Sequence, residues 1–461
     1  MRRSGVLLHI SSLHGDYGCG NFGKEAYEFA DYLHKAGFKI WQVLPFNVPH
    51  KDASPYSSVS TFAQNPLFID PEELRAEELL TDDELSEIKE HAKKYVRDYH
   101  GLYKAREPYF RKAVSRLSGE AREQALSYVR SNKQINNACL FLSEGREEDF
   151  LFYAFLQFEF ARQWKKLHAY LKERDIEVIG DIPIYADLHS SEVRYNPECF
   201  LLDKHGKPKF VSGVPGDSFN DAGQKWGHPL YSTEALKAQN YELLFDRMKF
   251  ASSVYDVTRI DHFQAIALFY AIPVNGHPRD GHWEVGVGEP FVKRLAEEIG
   301  KERFIVEDFG CFPGNSHALA EKYGFPDMNT LQFTLGAGKL PDIYPESTVA
   351  YTGTHDNDTL VGYLSSLDKS NLSRVAKNLG LCESADTQTV AKAGIEALLA
   401  CPAERVVIQA QDILLEGSES RMNVPGVSGG CWLYRITKEK MHSLLKSAPE
   451  YLSLVKKYNR I

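Results

Sequence analysis

The sequence predicts an α/β fold, a (β/α)8 TIM barrel carrying helical and loop insertions. Eight short apolar runs, most of them separated by helix-like segments, supply the strands. Several of these runs end in polar and charged residues, where a barrel presents its catalytic groups. A doubly wound open sheet is the competing arrangement, but no Gly-x-Gly-x-x-Gly follows the first strand.

Gly5 to Ile10 reads as the first buried strand, followed by a Gly-rich loop through Gly23. Lys24 to Ala36 shows apolar positions at helical spacing and stops at Gly37, and Phe38 to Pro45 is the second strand. Strand, loop, helix and strand make a βα unit of a parallel sheet. Phe46 to Pro71 is a loop dense in Pro, Ser and Tyr. Residues 72–174 turn to Glu, Lys, Arg and Leu, and Thr81-Asp82-Asp83-Glu84 is a capping box opening an amphipathic helix. Residues 46–174 are therefore expected to be a loop-plus-helix insertion after strand two, without a sheet of its own. Glu177 to Tyr185 is the third strand. A loop-rich insertion, 186–250, follows it and contains Gly213 to Asp217 and Gly223 to Tyr231. The fourth strand is placed in Ser252 to Phe263. The rest are Arg303 to Phe309, Met328 to Leu335, Val349 to Asp356 and Arg405 to Leu415. Beyond Trp432 a strand-like run and a closing helix are expected, so that residues 1–461 form one catalytic domain.

Composition narrows the function. Apolar residues at 43% and charged residues at 25% fit a globular enzyme with a sizeable core. The formal net charge is −9 and no Lys/Arg cluster marks one face, which argues against nucleic acid as a partner. The seven cysteines, Cys311 among them, are scattered, odd in number and without a Cys-x-x-Cys pair. That usage points to a reducing compartment and hence a cytoplasmic enzyme. The first apolar run is too short for a secretory signal, and no window approaches the ~20 apolar residues of a membrane span.

The chemistry gathers at strand ends. Arg259 and Asp261 lie two apart, so on a strand they share a face, and the guanidinium is expected to hold the carboxylate ionised, as a covalent nucleophile requires. A buried structural ion pair is the plain alternative. Glu307 or Asp308 follows strand five and Asp356 follows strand seven, and a barrel brings such ends to one mouth. Parity cannot choose between Glu307 and Asp308, although the longer Glu suits a proton donor facing a nucleophile. One ionised and one protonated carboxyl flanking a sugar linkage is the equipment of retaining glycosyl chemistry. His262 and His355, each beside an acid, either contact sugar hydroxyls or are packed histidines. Tyr56, Trp226 and Tyr231 lie on insertion loops, where each either stacks on a sugar face or packs as core. Asp181 reads as support for the barrel rim. His9 lacks the His-x-His partner of a metal-dependent barrel hydrolase.

The motifs Pro55-Tyr-Ser-Ser, Asn65-Pro-Leu, Gly180-Asp-Ile-Pro-Ile-Tyr185, Gly223-Gln-x-Trp-Gly-x-Pro-Leu-Tyr231, Arg259-Ile-Asp-His-Phe263, Glu307-Asp308, Gly353-Thr-His-Asp-Asn357 and Gly417-Ser-Glu-Ser-Arg-Met-Asn423 occur in this order. In this the chain resembles the amylomaltases, the 4-α-glucanotransferases of glycoside hydrolase family 77, over nearly its whole length. The resemblance implies a barrel without the C-terminal β-sandwich of α-amylases, Asp261 as nucleophile, Glu307 as general acid/base and Asp356 as transition-state stabiliser. With it, Tyr56, Ser57, Asp181, Trp226, Arg259, His262, His355 and Asn357 are assigned to substrate binding, with malto-oligosaccharides as donor and acceptor and no metal or organic cofactor. Two positions depart from the pattern. Gln264-Ala265 stands where Arg-Gly is usual, and Cys431 stands where Asn is common, so sugar preference, acceptor choice or the transfer-to-hydrolysis ratio is expected to differ. An α-glucan hydrolase using the same carboxylates and a glycan-binding barrel with attenuated turnover are the alternative readings.

Overall fold

A strand covered on both faces reads as an unbroken apolar run, and Val6, Leu7, Ile40, Trp41, Val178 and Ile179 are all buried. In the computed structural model, which describes residues 2–95, 97–216, 221–310, 313–427 and 429–461, such runs build the barrel. The strands in chain order are β1 (Arg3–Leu7), β2 (Ile40–Gln42), β3 (Glu177–Ile182), β4 (Phe210–Val214), β5 (Gln224–Pro229) and β6 (Val257–Ile260). They continue as β7 (Leu268–Pro273), β8 (His282–Val285), β9 (Phe304–Val306), β10 (Met328–Thr330), β11 (Val349–Tyr351) and β12 (Arg405–Gln409). Eight of them pair in parallel in the order β10-β11-β12-β1-β2-β3-β6-β9. At the seam between β9 and β10, Val306 N–H donates to the carbonyl of Pro326 at 2.9 Å, and no ladder joins these two strands among the described residues. The result is a (β/α)8 barrel.

Several elements are shorter than their apolar runs. Ser252 to Val254 belong to the helix Glu242–Val254, because Leu244, Met248 and Ala251 are buried at helical spacing and the β-branched run begins only at Val257. The ends of the sixth and eighth runs turn directly into the helices Leu331–Gly336 and Ala410–Ile413. The first strand closes at Leu7, and Ile10–Ser12 is a 3-10 turn. Residues 433–436 form no strand; they cross the first loop, with Ile436 N–H donating to Ser12 O, before the helix Lys438–Lys457. Asp217 and Cys311 lie outside the described residues.

The loop-rich segment after β3 contains strands that periodicity did not show. β4 and β5 join β7 and β8, which follow the fourth barrel strand, in an antiparallel sheet of order β5-β4-β7-β8. Its strands are brief, the β4–β5 pairing is bulged, and at Gly213 a side chain would meet the Gln224 carbonyl at 2.2 Å, so only glycine permits that approach. The described residues of 72–174 are mostly helical, and the Thr81–Glu84 capping box opens the helix Asp82–Ala92. On the long helix Glu147–Lys172, Gln157 and Gln163 are buried and bond loop backbone. Gln157 takes the Gln64 N–H and returns a bond to the Gln64 carbonyl, while Gln163 takes the Asp70 N–H. The two side-chain amides thus satisfy a loop that no strand pairs with. Among the described residues no helix is long and apolar enough to cross a membrane.

Candidate active site

At the C-terminal mouth of the barrel lies a large cleft, open to solvent, and Asp261, Glu307 and Asp356 all line it. They come from the ends of β6, β9 and β11, so residues far apart in sequence meet as the topology requires. Its walls carry Tyr56, Tyr185, Trp226, Phe309 and Trp432, flat rings of the kind that stack on sugars.

Arg259, wholly buried, organises the acids. Its Nη1 donates to Asp181 Oδ2 at 2.7 Å and to Asp261 Oδ1 at 3.1 Å, and its Nη2 lies 2.9 Å from Glu307 Oε2. One cation therefore serves three carboxylates, which changes the expectation for Asp261. Burial, followed by the charge of Glu307, pushes the Asp261 carboxyl well above the usual range despite Arg259. Against the pull of burial, Arg259 and the His262 N–H hold Glu307 down at about 2. Asp261 and Glu307 both lean on Arg259 and titrate as a pair, with burial and the mutual charge driving the Asp261 carboxyl upward. The expectation that Arg259 alone keeps Asp261 ionised is corrected accordingly.

Local backbone fixes this pair. Asp261 N–H donates to Ile182 O and Glu307 N–H to Ile260 O, which extends the ladders one step past the strands. His262 then adopts φ 47° and aims its own N–H at Glu307 Oε2, 2.7 Å away. A non-glycine residue in that region costs about 1–3 kcal/mol and persists where the surroundings impose it. Asp308 instead accepts from Gly310 N–H at 2.9 Å as a turn cap, although it also faces the cleft.

Asp356 is held from the other side. Asn423 donates to its Oδ1 at 2.5 Å, His355 Nε2 lies 3.3 Å from its Oδ2, and Arg421 donates to its carbonyl at 2.6 Å. Neither Asn423 nor Arg421 was singled out from sequence, although both stand in the Gly417 to Asn423 motif. Tyr56 donates to Asp181 at 2.7 Å and stacks on His355, with ring centres 5.1 Å apart. Trp226 presents an edge-on contact to His262 at 4.8 Å.

Tyr56, Ser57, Trp226, His262 and His355 line the cleft, whereas Asp181, Arg259 and Asn357 stand behind its wall. Asn357 accepts the Thr354 N–H and hydroxyl, which shapes the turn that carries Asp356. Tyr231 is packed: its hydroxyl donates to Ile184 O and accepts from Arg247. Tyr185, stacked on Tyr231, takes the place on the cleft wall. His9 is buried, accepts the Leu44 N–H, and is pushed down to about 3 by that burial. Gln264 and Cys431, the two departures, both face the cleft; the Gln264 amide is engaged by Pro313 O and Ser316.

The family model described as 4-alpha-glucanotransferase matches residues 8–143 and 127–441. The chloroplastic/amyloplastic 4-alpha-glucanotransferase of Arabidopsis thaliana is 33% identical over 100% of this chain and 86% of its own. The 4-alpha-glucanotransferase of Aquifex aeolicus is 34% identical over 95% of this chain and 96% of its own. Among solved structures, the amylomaltase from Streptococcus agalactiae in complex with acarbose superposes with a TM-score of 0.92 at 29% identity, covering 100% of both chains. With three acids at one barrel mouth and matches along almost its entire length, the chain belongs to the 4-alpha-glucanotransferase family, glycoside hydrolase family 77.

Proposed function

We propose that this protein is a 4-α-glucanotransferase that cleaves an α-1,4 bond in a malto-oligosaccharide and passes the glucan to the 4-hydroxyl of another sugar. The observation that carries the reading is that Asp261 and Glu307, both held on Arg259, face one aromatic-lined cleft with Asp356. In the proposed course, a bound glucan sets its linking oxygen beside Glu307, and the proton that the pair carries passes to Glu307. Asp261 is thereby ionised and attacks the sugar carbon, Glu307 protonates the leaving oxygen, and a covalent glycosyl-enzyme forms. Glu307, now ionised, takes the proton of an incoming 4-hydroxyl, whose oxygen displaces Asp261 with net retention. Asp356, held by Asn423 and His355, binds sugar hydroxyls as the ring flattens. Tyr56, Ser57, Trp226, His262 and His355 contact the glucan, and Asp181, Arg259 and Asn357 position them from behind.

The acarbose complex of the Streptococcus agalactiae relative supports α-glucans as the ligand class. We read the chain as one catalytic domain, because a single core cluster runs from barrel residues such as Val6 through Phe152 and Trp164 of the helical insertion. The free thiols among the described residues suit a reducing compartment, and the cytoplasm is the proposed location. Maltotriose is the test. Glucose together with oligomers longer than the substrate is expected, whereas products no longer than maltotriose refute transfer and favour hydrolysis.

A further inference from the structure

His50, Asp187 and His228 fall outside the fixed positions of every motif quoted above, yet they meet at the cleft rim. Asp187 follows β3, and its Oδ1 lies 3.3 Å from His50 Nε2 while its Oδ2 lies 3.7 Å from His228 Nδ1. The Ser57 hydroxyl donates to the same Oδ2 at 3.1 Å, and His189 N–H donates to Oδ1 at 2.8 Å. All three charged-pair members are largely covered, with side-chain exposures of 29% for His50, 18% for Asp187 and 12% for His228. Among the described residues no group of three or more His, Cys, Asp and Glu has the arrangement of a metal site, so the cluster is a tie between side chains.

What the tie connects gives it a role. His50 N–H donates to Ser57 O, which closes the turn that holds Tyr56. On β5, Trp226 and His228 lie two apart and share the face toward the cleft. Asp187 itself stands behind the wall. It therefore joins two walls from different insertions, one bearing Tyr56 and Ser57, the other Trp226.

We infer that Asp187 is a positioning residue, whose pairing with His50, Ser57 and His228 fixes the spacing of the Tyr56 and Trp226 walls and so governs how tightly the glucan is held. This inference rests on the glucan-transfer reading for its ligand. The tie is pH-sensitive. The Asp187 carboxylate, 3.3 Å away, raises the His50 imidazole above its ordinary value, and burial lowers that of His228. The groups that face them are Asp187, Asp52 on the His50 loop, and Arg247 from the helix Glu242–Val254, together with each other. Glucan binding is thus strongest while His50 is charged and weakens as pH rises through its raised pKa.

The test is Asp187→Asn, with His50→Gln as a second variant should the first fold poorly. Loss of one hydrogen bond to a charged group corresponds to a KM for maltotriose about tenfold higher. The expected kcat stays within about threefold, and the pH at which KM begins to climb moves downward. Unchanged KM, or a kcat that falls together with the thermal midpoint at constant KM, overturns the inference in favour of a merely structural tie. If the unsubstituted protein fails to redistribute maltotriose, glucan transfer is refuted separately. Maltoheptaose binding by calorimetry then replaces KM: about tenfold weaker binding by the variant upholds the positioning role, and equal binding overturns it.

Discussion

Replacing Arg259 by Lys keeps the charge and removes the fork. The guanidinium reaches Asp181 and Asp261 through Nη1 and Glu307 through Nη2, so its nitrogens span two sides of the carboxyl cluster. A lysine ammonium is a single point charge and can serve one side at a time. Each hydrogen bond to a charged group contributes about 1.5–3 kcal/mol, and a buried pair broken outright costs about 3–5 kcal/mol. Because the charge stays nearby, the lower end of the smaller figure, about 1.5–2 kcal/mol, applies to each of one or two contacts, giving a loss of about 2–4 kcal/mol. If that loss appears in the transition state, kcat falls roughly 30- to 1000-fold, at about 1.4 kcal/mol per decade. Glucose release from maltotriose measures the rate, and urea unfolding with an unchanged slope measures the stability. A variant that turns over within about threefold of the parent, at the same urea midpoint, refutes the role given to Arg259.

Asp261→Asn replaces the carboxyl with a near-isosteric amide that cannot attack the sugar carbon, so the fold is retained while turnover drops by about a thousandfold or more. Circular dichroism and the maltotriose assay read the two halves, and an undiminished rate assigns the nucleophile elsewhere. Asp412 is buried, accepts the Leu360 N–H at 2.6 Å, and is pushed up by burial to about 7. Its unfolded carboxyl releases its proton near pH ~3.9, so the folded state binds the extra proton between these values and stability declines as pH rises from ~4 to about 7. Asp412→Asn removes that decline: the variant is expected to match the parent at pH 4 and to exceed it at pH 8, and equal urea midpoints at pH 8 count against the assignment.

The sequence made the barrel legible because its strands are covered on both faces. Val6, Ile179, Ile260, Ile305 and Val407 are buried without alternation, and such runs stand out between helices. The same continuity hid where strands end, since Leu331 and Leu335 are as apolar and buried in a helix as they would be in a strand. The small antiparallel sheet escaped notice because β5 is mostly solvated and interrupted by Gly227, so it lacks a periodic signal. The three acids were visible through their place at strand ends. Their proton balance was not, because it depends on Arg259 facing Asp181, which lies on β3, 78 residues earlier. Tyr56 and Tyr231 had equal claims by residue type, and only the partner of each hydroxyl, Asp181 for one and Ile184 O for the other, separated wall from core. Asn423 required knowledge of where a distant loop folds back.

The wall that bears Glu307 is fastened unevenly. On one flank β9 is zipped to β6 from Thr258 and Phe304 through Ile260 and Val306; on the other, toward β10, the Val306 amide reaches only the chain before that strand. The unlaced flank of the barrel therefore lies beside Glu307, to which the acid/base role is proposed, while Asp261 rides on a strand clasped from both neighbours. If Glu307 serves as acid and then as base, the open seam beside it is where the barrel has room to give as the leaving oxygen is exchanged for the arriving one.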